Sequence, residues 1–504
     1  MEEFPFAYQR IAATTWAYMS SLMMIALFFK FNRFWSVRNF DLLLIILLAP
    51  GLLLVAGGRN WQAEKALAFD SAAANPLEIS QEPRGPFGDS ANPNLNQRSS
   101  LSAEGQPAID QTLDLKSLGA SLQRAGYYWL FGVGAIFLLR MLLDPSFIRK
   151  PLLDPNLSSG GLVFLGMSLM VFLFANIIMS EPTPNDLRGA RDSLKLMQRQ
   201  AADEGDVRQL NRQGPGYWLF NLFPVISTFN SGDEILETNP DEAAQLTRYV
   251  IAAKSLAIAS QVLIVLGLVF FCRYHYGNFN VGVGVATIYL MLPYTAIFTG
   301  HVLHSLPAAL LIWALVCFRR PWLAGILVGM STGVSYYPLF LLPLWCSFYW
   351  QRGVRSFLFG VGISLAICIL GLAFTSPDMA FFVHQLRSMF GFLLPRLEGL
   401  EGLWALGWNQ WYRLPLLVAH VILSVSFIFW PVEKNIGTLI SYTAALMVAV
   451  QFWLGFDGGL TMAWYLPLAL LVFFRPNLNG RVAESELNVG ARRGRPESTA
   501  NLIV

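Results

Sequence analysis

Two histidines three residues apart, His301 and His304, open the stretch "TGHVLHSLPAALLIWALVCFRRP", which closes on Arg319, Arg320 and a proline. At that spacing they share one face of a helix. An imidazole can carry a proton near neutral pH, and it can meet a phosphate or a sugar hydroxyl. Polar residues ending a short apolar span account for the same pair. A metal centre needs more ligands than H-x-x-H supplies, and no metal is expected.

A transfer onto a hydroxyl needs a group to take its proton, commonly a carboxylate. The acids that stand near the ends of apolar segments on the same side are Glu64, Asp70, Asp186, Asp241, Glu242 and Asp457. Asp70 and Glu64 follow one apolar segment closely. Asp241 and Glu242 precede another in "ETNPDEAAQLTRY", where Asn239 as a cap and Pro240 in the first turn explain them equally well. Asp457 lies in "FDGG", where a turn suffices. His384, Arg387 and Arg396 stand in a stretch rich in Phe, Leu and Trp. Arginine suits bidentate phosphate recognition, and it also snorkels to lipid headgroups.

The elements that must position these residues are membrane helices. Of the 504 residues, 55% are hydrophobic and 13% charged, against about a quarter charged in a soluble domain. Apolar runs long enough to span a bilayer recur along the chain. The expected fold is an all-α, polytopic transmembrane helical bundle of about 11 to 13 spans. It forms one unit over residues 1–474, with a disordered cytoplasmic tail at 475–504. The net charge of +3 is too small to imply nucleic acid. Four cysteines in or beside apolar segments make neither a disulfide framework nor a zinc spacing. Gly-rich phosphate loops, G-x-S-x-G and H-E-x-x-H are absent.

Lys and Arg assign the sides. Basic clusters at Lys30, Arg33 and Arg38, at Arg149 and Lys150, at Arg319 and Arg320, and at Arg352 and Arg355 lie inside. Three long loops, 58–126, 180–248 and 375–414, then lie outside. The first has an irregular, Pro- and Gly-rich middle. The second contains an exposed charged helix, "DLRGARDSLKLMQRQAADEGDVRQL", and an interfacial "GPGYWLFNLFPVIS". Residues 322–350 are longer than one crossing of about 20 residues and shorter than two. Basic residues flank both ends. Two half-length helices turning near "SYYP" meet both conditions; one long tilted helix is the alternative. Broken backbone at membrane depth needs protein or a cavity around it, so a cavity is expected at Ser335 to Pro338, lined by Tyr336 and Tyr337. Polar loops on one side of a bundle with a broken hairpin suit chemistry at the outer surface. Broken helices also occur in transporters and flippases of lipid-linked or small polar substrates, and a non-catalytic scaffold is a third possibility.

Two segments carry a family resemblance. "TIYLMLPYTAIFTGHVLHSLPAALLIWALVCFRRPWLAGILVGMSTGVSYYPLFLLPLW", Thr287 to Trp345, resembles the core of GT-C-type membrane glycosyltransferases, in particular the bacterial polyprenyl-phosphate-mannose-dependent mannosyltransferases. The "LP" at the end of one span, the small-residue span ending in "RRP", and the "YPLFLLPL" half-helix are the matching elements. "GFDGGLTMAWYLPLALLVFFRP", Gly455 to Pro476, is similar too. The likeness is divergent, with Ser335 standing where relatives often have Lys. It implies a hexose, such as mannose, moved from a polyprenyl-phosphate donor to an acceptor outside a bacterial plasma membrane. Asp70, or less well Glu64, answers to the catalytic carboxylate of the family, with Asp241 a further candidate. His301, His304, His384, Arg387, Arg396, Tyr336 and Tyr337 would hold donor phosphate and sugar. Membrane lipids and the lipid-linked donor are the implied partners.

Overall fold

The structure, a computed structural model, describes residues 11–74, 106–147, 153–182, 213–228, 242–351, 353–376, 378–389, 399–432 and 434–476, with helical pieces at 186–187, 189–191 and 193. Among the described residues there is no strand, and the chain is an all-α polytopic membrane bundle. Among the described residues seven helical stretches are long and apolar enough to cross a membrane, and six apolar helices of 10–17 residues join them. The helices used below are α1 (Ala13–Phe28), α2 (Val37–Ile46), α3 (Leu48–Ala74), α4 (Gln106–Leu142), α5 (Ser159–Met179), α6 (Tyr217–Thr228), α7 (Glu242–Phe271), α8 (Phe279–Met291) and α9 (Pro293–Ile297). They continue with α10 (Val302–Val316), α11 (Pro321–Val334), α12 (Leu342–Phe348), α13 (Val354–Thr375), α14 (Met379–Met389), α15 (Arg413–Phe429), α16 (Ile436–Trp453) and α17 (Leu466–Phe474). The innermost span is α16, with most of its residues buried, whereas α5 and α15 present mainly apolar residues to the surroundings.

Within the expected first outer loop, 58–126, helix continues at both ends: α3 runs to Ala74 and α4 begins at Gln106, because "WQAEKALAFDSAAA" and its counterpart are rich in good helix formers and no proline follows Gly57 and Gly58 within α3. The middle of that loop lies outside the described residues. Close contact between the two helices depends on glycine. A side chain at Gly58 would meet the Gly119 carbonyl, and one at Gly126 the Gly51 carbonyl.

The region 321–348 is a broken hairpin rather than one long tilted helix. α11 ends at Val334, a 3-10 turn follows at Tyr337–Leu341, and α12 returns. Gly325, Gly329 and Gly333, four residues apart, line one face of α11. A β-carbon at Gly325 would strike the Phe357 carbonyl, and one at Gly329 the Ser364 hydroxyl, so α11 and α13 pack backbone to backbone. At the break, where a cavity is expected at Ser335 to Pro338, aromatic rings pack around the turn while Tyr336 keeps part of its surface. Ser335 and Tyr337 are buried, and the Tyr337 ring packs on Trp453 and Trp464 at 5.4 and 5.1 Å. The amide of Gly214 donates to the Val334 carbonyl at 2.8 Å, and that of Gly216 to the Gly333 carbonyl at 2.6 Å. Two carbonyls released where α11 stops are thereby satisfied at membrane depth. The "GPGYW" stretch is packed into the bundle, with Tyr217 and Trp218 buried. Part of the preceding charged helix is likewise not exposed: Asp186, Ala190 and Ser193, at helical spacing, are all buried.

Loop residues from different parts of the chain gather at one end. Trp408 donates to the Tyr128 hydroxyl at 2.7 Å, Arg59 to the Tyr127 hydroxyl at 2.8 Å, and the Glu401 amide to the Gly455 carbonyl at 2.9 Å. At the other end lies a buried ion network. Arg140 clasps Asp41 through Nε at 2.6 Å and Nη2 at 2.8 Å, and reaches Asp144 Oδ1 through Nη1 at 2.9 Å. Arg475 Nε and the Ser441 hydroxyl donate to Asp144 Oδ2 at 2.9 and 3.1 Å. Two acids and two guanidiniums balance, which is what makes four charges tolerable there. They tie α2, α4, α16 and the end of α17 together.

Candidate functional site

At the loop-bearing end, a cleft of about 560 Å³ including its open mouth lies between the end of α5, the helical piece at Asp186, α7 and the α9–α10 corner. Each wall has a local cause. α8 stops at Met291 because Pro293 follows and disfavours helix at Leu292. The chain restarts as the short α9 and turns at Phe298–His301. The corner is pinned from α7 and α8: Gln261 Nε2 donates to the Thr299 carbonyl at 3.3 Å, and the Tyr289 hydroxyl donates to Gln261 Oε1 at 2.8 Å. The Thr299 hydroxyl turns back onto the carbonyls of Thr295 and Ala296. On the opposite wall, Lys254 Nζ donates to the Ile178 carbonyl at 2.6 Å. An ammonium there caps the last turn of α5 and meets the negative end of its dipole.

The polar pair in this cleft is Asp186 and His301. Asp186 Oδ2 lies 3.4 Å from His301 Nδ1, with side-chain exposures of 7% and 28%. The carboxylate is thus the buried member and the imidazole the one that faces the opening. A buried carboxylate behind an accessible imidazole is an arrangement for moving a proton: the acid orients the ring and stabilises its charged form while the other ring nitrogen works. Asn176, Ser180 and Thr299 add neutral polar groups, and Glu181 stands with Lys254. Charge in the cleft is therefore largely matched within it, leaving hydroxyl-binding capacity and little net attraction for an ion.

The described residues place only part of the candidate set read from the amino-acid sequence. His301 lines the cleft. His304 lies behind it, 4% exposed, with Nδ1 2.7 Å from the Tyr294 hydroxyl. Tyr336 and Tyr337 stack at 4.1 Å at the hairpin break rather than beside the histidines. The buried Arg413 donates through Nε to the Trp453 carbonyl at 3.0 Å nearby. His384 and Arg387 are exposed on α14, an amphipathic helix whose Phe382 and Leu386 pack on the cluster around Trp218. Glu64 and Asp70 stand on helical backbone of α3, not in a loop, and their side chains lie outside the described residues. Asp241 and Arg396 also lie outside them. Lys254 and Tyr294 did not stand out in the sequence. Lys254 carried a readable signal, since an ionisable residue within an apolar span has a role by default; Tyr294 carried none.

Among the described residues no group of three or more His, Cys, Asp or Glu could hold a metal ion. The chain matches no family model, and it matches no curated protein.

Proposed function

We propose that this chain is an integral membrane glycosyltransferase that moves a hexose, such as mannose, from a polyprenyl-phosphate donor to an acceptor hydroxyl at the extracytoplasmic face of a bacterial plasma membrane. The observation that carries the reading is the Asp186–His301 pair: a buried carboxylate behind an accessible imidazole, in a polar cleft at the loop-bearing end of an apolar bundle. In this reading His301 takes the proton from the acceptor hydroxyl, and Asp186 holds the ring and stabilises its charge. The acceptor oxygen bonds to the anomeric carbon as the bond from that carbon to the phosphate oxygen breaks. Polyprenyl phosphate leaves with the negative charge. His384 and Arg387 on α14 are available to a donor phosphate, beside apolar surface for the lipid chain. The near-balanced charge of the cleft favours a neutral, hydroxylated acceptor.

The test is transfer in membranes or nanodiscs holding the full chain, supplied with polyprenyl-phosphate sugars. Asp186→Asn and His301→Ala should each lower it by about 10²-fold or more. Loss with Asp70→Asn and retention with Asp186→Asn would move the base to α3. No transfer from any donor would reject the reading.

A further inference from the structure

The wall of rings behind His301 assigns a role to two residues that do not touch the cleft. His301 is the residue preceding α10; its backbone is extended, and its side chain does not cap the helix. Its carbonyl is engaged by the His304 amide and the Ser305 hydroxyl, each at 3.2 Å. The backbone is thus fixed, while the ring direction is left to its neighbours. Those neighbours are aromatic. The His301 ring stacks on His304 with centroids 5.3 Å apart and 28° between planes, and packs on Phe298 at 5.4 Å. His304 in turn stacks on Phe298 at 5.4 Å, and Phe298 packs on Tyr294 at 4.8 Å.

His304 itself is tied by a strong contact, the 2.7 Å bond between its Nδ1 and the Tyr294 hydroxyl. Both residues are buried, at 4% and 2% exposure. When the phenol O–H donates to Nδ1, the His304 proton sits on Nε2 and the ring plane is set from α9. Without that tie, a ring in a slot of other rings could turn about its χ2 angle, which is intrinsically broad for imidazole. The wall against which His301 stacks would then lose its direction.

We propose that His304, fixed by the Tyr294 hydroxyl, is a positioning residue that holds the His301 ring with Nδ1 toward Asp186 and its other nitrogen toward the cleft. The functional meaning rests on the transfer reading above, but the positioning is a statement about His301 alone. The groups around His301 that bear on its titration are Asp186 on the 186–193 piece, Glu181 after α5, Lys254 on α7, Tyr294 on α9 and His304 on α10.

The experiment titrates the ring carbons of labelled histidine by NMR in the full-length chain in nanodiscs, with His301 identified by its loss in His301→Gln. Tyr294→Phe keeps the ring and removes only the hydroxyl; His304→Phe keeps the stack and removes the acceptor. An imidazole close to a carboxylate holds its proton more tightly. Both variants should therefore lower the His301 midpoint, by about half a unit or more. Where transfer is measurable, the acid limb of its pH profile should move in the same direction. An unchanged His301 midpoint in both variants, with the fold intact by circular dichroism and gel filtration, overturns the proposal. So does lower thermal stability without a change at His301, since a merely structural role predicts that pattern. If neither donor nor acceptor supports transfer and the midpoint still falls, the positioning stands and the transfer reading fails. If one variant does not fold, the other decides.

Discussion

Asp144 takes Arg140 on one carboxylate oxygen and Arg475 on the other, so a residue at the end of the last span is bonded to one that follows the third. The two arginines converge on a carboxylate with no exposed surface. Removing that carboxylate would take this ion partner from the buried Arg475 guanidinium and leave Arg140 with Asp41. Asp144→Ala should cost about 3–5 kcal/mol of stability, measured by denaturant unfolding in detergent micelles. The double variant Asp144→Ala with Arg475→Ala should cost less than the sum of the two single changes, because the pair shares one interaction.

The glycine face of α11 gives a test of backbone packing. Gly329 lies against the Ser364 hydroxyl with no room for a methyl group. Gly329→Ala should lower stability by about 1–3 kcal/mol through overpacking. Pairing it with Ser364→Gly should return part of that loss. Thermal unfolding of the single and double variants reads both effects.

For the cleft, Asp186→Asn should lower transfer by about 10²- to 10⁴-fold, as expected when a proton-transfer pair loses its charged member. The neutral amide still fills the site, so folding should be retained. His301→Ala should reduce transfer by a similar factor, and combining the two should add little, since they act as a unit. Initial rates with excess donor measure each factor.

Sidedness is directly measurable. In a cysteine-free background, His384→Cys should react with a membrane-impermeant maleimide in intact cells. Arg355→Cys should react only after permeabilisation. Arg355 stands in the first turn of α13, and His384 lies on α14, beyond the far end of that span. The reverse pattern would turn the molecule over and put the cleft inside the cell.

Much of the architecture was legible because its causes are local. A run of about 20 apolar residues is a span wherever it occurs, and "LVGMSTGVSYYP" between arginines fits a broken hairpin better than one long tilted helix, because length and charge both point that way. The individual site was less legible. His301 could be seen as a polar residue at the end of a span, but six acids competed to be its partner. Nothing in "EPTPNDLRGARD" marks Asp186 as the buried one. Its selection depends on where the 186–193 piece packs against the α9–α10 corner, and that is decided by contacts far along the chain. The cover of the hairpin break was hidden for a related reason. The need to cover the broken backbone was correctly read, but the cover turned out to be "GPGY", a stretch whose glycines look like a loop until Gly216 is found against Gly333.

The amino-acid order alone determined that this is a many-span helical bundle, where its basic connections lie, and that one hairpin is half-length. Those properties follow from hydropathy and charge, which act residue by residue against the solvent. Only the tertiary structure decided that Asp186 meets His301, that Tyr294 fixes His304, and that Asp144 joins the first spans to the last. Those are pairings between side chains brought together by helix packing, and spacing along the chain carries no record of them.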